Sequence, residues 1–284
     1  LSLLGAGRLC SLLMLCLDPE KITHPQGYQI LIYPDKIEIL GSDEQGLFYG
    51  VQTLQQLIRQ STSRRLPCMQ ILDWPDFPVR GVMLDISRDK VYKLETLFML
   101  VDELASWKIN QLQLYMEHTF AYEGHETVWQ GASPMTPEDI LKLDRYCSER
   151  FIELVPNQNS LGHMSRWLKH PTYQHLAETT EPVQTPWGHV QKEPFSLAPT
   201  QPETLDFVIC LYDQLLPNFS SKQVNVGCDE AFDIGEGKSK AAVKTNGKGQ
   251  VYLDYLLSLH ADLNKRGYRM QFWGDIILEH PDLI

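Results

Sequence analysis

Two β-prone runs open the readable part of the chain: Tyr-Gln-Ile-Leu-Ile-Tyr from Tyr28, then Lys-Ile-Glu-Ile-Leu after a break at Pro34-Asp35. Aromatic and β-branched residues on both sides of a Pro-Asp break predict a β-hairpin. After it, Leu47, Val51, Leu54 and Ile58 recur at helical intervals, and Ser42-Asp-Glu-Gln45 has the spacing of a capping box, so a helix is predicted to about Gln60. A hairpin and one helix enclose too little core to stand alone. Residues 1–73 are therefore predicted to form a small α+β domain, with Pro67, Pro75 and Pro78 marking the linker region. The apolar start, LSLLGAGRLCSLLMLCL, imitates the core of a signal peptide. Arg8 interrupts it, and Leu9 to Leu17 falls short of the roughly 20 residues that cross a bilayer. A strand or helix of the first domain is preferred to a targeting segment.

Beyond Arg80 short apolar runs alternate with longer amphipathic stretches, the pattern of β/α units around a parallel sheet. Strands are predicted at 81–85, 111–116, 152–156, 223–227 and 269–273. Between them Leu94, Leu97, Phe98, Val101 and Ala105 form one stripe, and Thr136-Pro-Glu-Asp139 opens a capped helix through Ile140, Leu143 and Cys147. Thr200 and Glu203 are spaced as a second capping box before Leu205, Val208, Ile209 and Tyr212, Pro217 stops that helix, and a fourth is predicted at 251–265. Each strand ends in a chemically useful residue: Asp85, Glu117 with His118, Asn157, Asp229 with Glu230, and Trp273. A doubly wound sheet would cluster such residues at one switch point, whereas a barrel gathers them from every strand. Residues 74–284 are accordingly read as a catalytic (β/α) TIM-type barrel. A full barrel has eight strands in roughly 250 residues, so the expectation is a barrel truncated after the fifth strand, or an unusual open one.

Composition narrows the function. Of 284 residues, 43% are hydrophobic and 21% charged, which excludes disorder and fibrous repeats. The net charge of −11 argues against nucleic acid and anionic membranes as partners and favours a neutral or cationic one. Six cysteines (Cys10, Cys16, Cys68, Cys147, Cys210, Cys228) include no C-x-x-C pair, which speaks against a zinc ribbon or a secreted disulfide scaffold. They are expected to be mostly buried thiols, and a cytoplasmic chain is favoured.

The strongest local signal is Val224-Asn-Val-Gly-Cys-Asp229-Glu230, a buried strand ending in adjacent carboxylates. Neighbours in a strand point to opposite faces, so both enter one pocket only where the strand turns into its loop. There, proximity separates their pKa values and supplies an anion and an acid together. The competing reading is an acidic helix N-terminus without chemistry. Gly237-Lys238-Ser239 resembles the end of a phosphate loop, but its first glycine would fall at Phe232. His118, His125 and Glu126 lack the H-E-x-x-H spacing, so no metal and no cofactor are expected. Asn218-Phe-Ser220 satisfies a glycosylation sequon that is too short to carry weight.

Four segments in order, Arg80-Gly-Val-Met-Leu-Asp85-Ile-Ser-Arg88, Asn159-Ser-Leu-Gly-His163, Gly227-Cys-Asp229-Glu230 and Phe272-Trp-Gly-Asp275, resemble the motifs of the family 20 glycoside hydrolases, the β-N-acetylhexosaminidases. The likeness covers residues 28–284 and extends to the run Leu114-Tyr-Met-Glu117-His118-Thr-Phe-Ala-Tyr122. It implies a retaining exo-hydrolase acting on an oligosaccharide or glycoconjugate with a terminal N-acetylhexosamine. The substrate's own 2-acetamido group then attacks its anomeric carbon to form an oxazolinium ion. By the same resemblance Asp229 and Glu230 are catalytic, Asp229 holding the acetamido nitrogen and Glu230 serving as acid and base, with its pKa raised by burial beside Asp229. Arg88 would bind sugar hydroxyls or else pair with Asp85 or Asp89. His163 would orient Glu230, Trp273 would wall the pocket, and Glu117 or His118 would take the place of an acidic residue common after the second strand. Cys228 departs from a usual glycine, and the later strands that bring further aromatic residues to the sugar pocket are not in this sequence. Two other functions remain open at this stage: a non-catalytic carbohydrate-binding protein, and a metal-dependent hydrolase with an ion near Glu117, His118 and Asp229. The preferred sugar, N-acetylglucosamine or N-acetylgalactosamine, is open as well.

Overall fold

A computed structural model describes residues 12–62 and 65–283. It contains two compact units. The first comprises the described residues up to Val82 with Glu95–Gln111 and Tyr146–Ile152; the second comprises Met83–Leu94, Leu112–Arg145 and the chain from Glu153 onward.

The first unit holds β1 (Leu12–Leu17), β2 (Tyr28–Ile32), β3 (Lys36–Gly41), α1 (Glu44–Gln60) and β4 (Met69–Asp73), with the sheet ordered β1-β3-β2-β4. The predicted hairpin forms: β2 and β3 pair antiparallel with Ile30 opposite Ile39, and the Tyr33 amide donates to the Lys36 carbonyl across the turn at 2.8 Å. Alternate residues then share one face, and Tyr28, Ile30, Ile32, Ile37 and Ile39 pack with Tyr49 and Leu54 of α1. Full burial of each such side chain is worth about 1.5–3 kcal/mol, which is what seats the helix on the sheet.

Three features of this unit differ from the reading of the sequence. The cap of α1 is Asp43 instead of Ser42: its Oδ1 accepts from the Gly46 amide at 2.7 Å, while Ser42 Oγ accepts from Gly27 N–H at 3.1 Å. Gln45 donates to the Tyr49 hydroxyl instead of reaching back, so no reciprocal box closes. A carboxylate is the stronger acceptor at the positive end of a helix, and Ser42 is taken by the loop before β2. The supposed linker contains β4, which pairs with the other edge of β2. β1 lies parallel to β3 and is exposed along its length, so the strand alternative holds for 12–17; residues 1–11 of that apolar stretch lie outside the described residues.

In chain order there follow β5 (Gly81–Asp85), α2 (Leu94–Ser106), β6 (Gln111–Met116), α3 (Glu126–Trp129), α4 (Pro137–Ser148), β7 (Glu153–Gln158) and α5 (Ser165–Leu168). The hairpin strands β8 (Val183–Gln184) and β9 (Val190–Gln191), then α6 (Pro202–Leu215), β10 (Gln223–Asn225), α7 (Lys240–Asn246), α8 (Lys248–Lys265), β11 (Arg269–Gln271) and α9 (Asp275–Leu278) complete the series. Five strands form one sheet in the order β11-β10-β7-β6-β5, and β10 is parallel to both of its neighbours. Chain order and spatial order agree without a reversal. Such one-way winding lacks the switch point of a doubly wound sheet and matches an incomplete TIM-type barrel.

The capped start at Thr136 is present: Thr136 Oγ1 accepts from the Asp139 amide and Asp139 Oδ2 from the Thr136 amide, at 3.2 and 3.1 Å. The box expected at Thr200–Glu203 is not formed. α6 starts at Pro202, which has no N–H to satisfy, and its cap Gln201 makes no side-chain bond. The hairpin β8–β9 was not anticipated, because strands of two residues leave no periodic signal. Mostly buried thiols were expected, yet among the described cysteines only Cys147 and Cys228 are buried; Cys16, Cys68 and Cys210 are exposed, and Cys10 lies outside the described residues. Cys16 sits on the exposed edge strand β1, and Cys210 points outward from α6.

Candidate active site

The C-terminal ends of the five parallel strands lie in the second unit, and the loops that leave them surround a cavity of ≈ 250 Å³. It is lined by Met83, Asp85 and Arg88 from the β5 end, Tyr115 of β6, His163 after β7, Asp229 and Glu230 after β10, and Trp273 after β11. Of the expected site residues, Asp229, Glu230, Arg88, His163 and Trp273 are thus brought to one place. Glu117 stands behind them, 3.7 Å from both His163 Nδ1 and Arg88 Nε. His118 is not part of this cavity. As the next residue along the strand end it turns the opposite way and lines a separate cavity of ≈ 490 Å³.

The acidic pair reaches one pocket through an unusual backbone. β10 stops at Asn225, and Gly227, Cys228 and Glu230 all take left-handed φ values of 66°, 67° and 52°. Only glycine adopts this conformation without penalty, and each of the two other residues costs about 1–2 kcal/mol. Cys228 therefore stands where glycine would be relaxed. A Cβ on Gly227 would also lie 2.6 Å from Asn159 Cγ. The turn is held by Asn159, whose Oδ1 accepts from the Cys228 amide at 3.1 Å, and by Trp273, whose amide donates to Gly227 O at 3.0 Å. Glu230 N–H donates to Asp275 Oδ2 at 2.9 Å. Gly162 is needed for closeness: a Cβ there would meet the Asp229 carbonyl oxygen at 2.3 Å.

His163 is the hub of the charges. Its Nε2 lies 3.2 Å from Asp229 Oδ2 and 3.2 Å from Glu230 Oε2, charge contacts without an in-line hydrogen bond. Burial alone would lower its pKa, but the Asp229 carboxylate, aided by Glu117, outweighs burial and holds the imidazole above the ordinary histidine value. Asp229 moves the other way. Burial pushes it up, yet His163 and the Asn159 amide, which donates to Oδ1 at 2.8 Å, bring it below the usual carboxylate range. Glu117 is raised, chiefly by burial, and accepts from the Tyr115 hydroxyl at 3.0 Å. The Glu230 side chain is 44% exposed. The burial expected around it is therefore not present among the described residues.

Arg88 makes the ion pair with Asp85 that was one of the two readings offered for it. Its Nε is 3.4 Å from Asp85 Oδ2, its guanidinium lies over the Tyr115 ring at 5.3 Å, and it still lines the cavity. Asp85 Oδ1 accepts from the Ser87 and Arg88 amides at 2.8 and 3.2 Å, which turns the chain so that Arg88 faces the site. Tyr115 and Asn159 were not singled out from the sequence as site residues. Asn159 is fully buried and bonds Tyr115, Asp229 and Cys228 at once. The signal for Tyr115 was its position two residues before Glu117 on the same strand face.

The charge pairing sets a pH window. His163, raised on folding, stabilises the fold fully below its unfolded pKa of about 6.5, and that contribution is lost as pH rises through its folded value. Asp229, lowered on folding, contributes fully above about 3.9, and its contribution is lost as pH falls through its folded value. Together they act between those limits. In a ring-nitrogen NMR titration His163 is expected to titrate above an ordinary histidine, and Asp229→Asn should lower its midpoint. An unchanged midpoint would show that Asp229 is not what holds the proton.

His163, Asp229 and Glu230 are also the described group whose ligand atoms, all within 4.8 Å of one another, could hold a metal ion. An ion there would have to displace the proton that the carboxylates hold on the imidazole. The set once considered for a metal, Glu117, His118 and Asp229, is not assembled, since His118 lies in the other cavity. No described helix is long and apolar enough to cross a membrane.

Sequence and structure comparisons bear on this site. Residues 77–283 match the description "Glycosyl hydrolase family 20, catalytic domain", and residues 11–74 match "Glycosyl hydrolase family 20, domain 2". The chain is similar to a lacto-N-biosidase of Bifidobacterium bifidum, 26% identical over 89% of this chain and 22% of that protein. It is also similar to a beta-hexosaminidase of Akkermansia muciniphila, 25% identical over 95% of this chain and 60% of that one. The chain thus spans less than two thirds of the length of these relatives. Its fold resembles the crystal structure of a Flavobacterium johnsoniae chitobiase with a TM-score of 0.76, at 23% identity over 88% of this chain and 40% of that one. With its barrel strands and the domain before them both matched, the chain belongs to glycosyl hydrolase family 20.

Proposed function

We propose that the protein is a retaining exo-β-N-acetylhexosaminidase. It removes a terminal N-acetylglucosamine or N-acetylgalactosamine from an oligosaccharide or glycoconjugate through an oxazolinium intermediate. Residues 1–73 are the small domain and 74–284 the catalytic part. The observation that carries the reading is the placement of the two carboxylates. Asp229 and Glu230 are consecutive and converge on one imidazole nitrogen, 3.2 Å from each. A retaining enzyme with its own nucleophile needs carboxylates flanking the scissile bond about 5–5.5 Å apart, on opposite sides of the sugar. Side-by-side groups suit a substrate that supplies the nucleophile itself. The name of one matched relative, the beta-hexosaminidase, points the same way.

In this mechanism Asp229, kept ionised by Asn159 and His163, accepts from the acetamido N–H and offsets positive charge as the ring closes. Glu230, open to the cavity, protonates the leaving oxygen and then takes a proton from water. Arg88 holds sugar hydroxyls and Trp273 forms a wall against the apolar face of the sugar. Glu117 acts through Arg88 and His163 without touching sugar, and His118 has no part in it. Hydrolysis of an aryl β-N-acetylhexosaminide, followed by proton NMR, should release the β-anomer first. Initial release of the α-anomer would overturn the reading.

A further inference from the structure

The larger cavity, at ≈ 490 Å³, adjoins the sugar cavity through Arg88, which lines both. Its chemistry is opposite to that of the chain as a whole. In a protein of net charge −11, the cavity is lined by Arg88, Lys90, Arg166 and Lys169, with Asp89 as the one carboxylate among the lining residues. Arg88 is committed to Asp85 and Glu117. Lys90 sits over the Tyr92 ring, and neither Lys90, Arg166 nor Lys169 has a carboxylate within salt-bridge reach among the described residues. Cations that converge on a concave surface without anions repel one another, and low-dielectric walls focus their field.

His118 provides an independent sign. It is 6% exposed, lines the same cavity, and its Nδ1 is buried without a hydrogen-bond partner. That atom is sealed from solvent, so Nε2 is the ring nitrogen that faces whatever occupies the cavity. Burial, and then the charges of Arg166 and Lys169, push its pKa down to about 4 and keep it neutral. A neutral imidazole still has one N–H to donate.

We propose that this cavity is an oxyanion-binding site beside the sugar cavity, taking a sulfate, phosphate or carboxylate group between Arg166, Lys169 and His118. Such a group neutralises the unpaired cations through charge-assisted hydrogen bonds and accepts from the His118 Nε2 side of the ring. It comes from one of two sources, an acidic substituent on the bound sugar or a free inorganic ion. Binding at the site does not depend on turnover, so the test stands apart from the hydrolase reading.

The chain is titrated with sodium sulfate against sodium chloride at matched ionic strength, by calorimetry and by NMR of the His118 ring. Saturable sulfate binding with a shift of the His118 resonances is expected. Arg166→Ala with Lys169→Ala should weaken it at least tenfold; both side chains are exposed, and circular dichroism checks that the fold is kept. Lys90→Ala, a milder change, should weaken it several-fold. A 6-sulfated aryl N-acetylhexosaminide is then compared with the unsulfated one. Tighter binding of the sulfated sugar by wild type, lost in the double variant, assigns the anion to the substrate. Equal binding of the two sugars, with inorganic sulfate still bound, assigns the site to a free ion. Sulfate that binds no more than chloride, leaves His118 unshifted, or binds the double variant as well as wild type overturns the proposal.

Discussion

Replacing the 2-acetamido group of an aryl glycoside by a 2-hydroxyl is expected to abolish turnover, by at least about a thousandfold, since well-placed intramolecular nucleophiles reach effective molarities of roughly 10⁵–10⁸ M. The substitution deletes the attacking oxygen and also the N–H that Asp229 is placed to receive. Binding through Arg88 and Trp273 should survive, because neither addresses the 2-position in the proposed pose. A thiazoline analogue imitates the closed ring of the intermediate. It should therefore inhibit far more tightly than the free sugar, because a catalytic pocket is complementary to the species near the transition state. Asp229→Asn should weaken that inhibitor, since an amide lacks the charge that faces the ring nitrogen. A covalent sugar adduct on Asp229 or Glu230 in a mass spectrum would refute the mechanism, and so would rapid hydrolysis of the 2-hydroxyl substrate.

Glu230→Gln is expected to cost about 10²–10⁴-fold in kcat on a substrate with a poor leaving group, the usual span for loss of a general acid. On an activated aryl glycoside the loss of the first step should be much smaller, because the departing oxygen is stable without a proton. The structure makes this a clean test of chemistry over stability. Glu230 is 44% exposed and its backbone amide, not its carboxylate, is what Asp275 holds. Its replacement should leave the turn at 227–230 intact. Equal losses on both substrates would show that Glu230 is not the proton donor.

Much of the architecture was legible because it rests on local patterning. The first two barrel strands were predicted with both bounds as observed, and the Thr136 cap was read from a four-residue run in which the first and last side chains each accept from the other's amide. Caps failed where two neighbours could both serve. At α1 the spacing alone could not show that Ser42 would be drawn to Gly27, leaving Asp43 as the cap. The chemistry at the strand ends was legible as a set of residue types in order, and the resemblance added Arg88 and His163 from the loops.

What the sequence determined by itself was therefore the periodicity, the one-way β/α succession, and the strand-end order of Asp85, Glu117 with His118, Asn157, Asp229 with Glu230, and Trp273. Each depends on residues near one another in the chain. Side-chain direction at a strand end does not, because it turns on a single φ angle. Only the tertiary structure showed that left-handed Cys228 and Glu230 bend both carboxylates to one imidazole, and that Asn159, 70 residues earlier, holds Asp229 ionised. Likewise only the fold separated Glu117 from His118. Two adjacent residues on an extended strand face opposite ways, so one entered the charge network of the sugar cavity and the other the cationic cavity beside it.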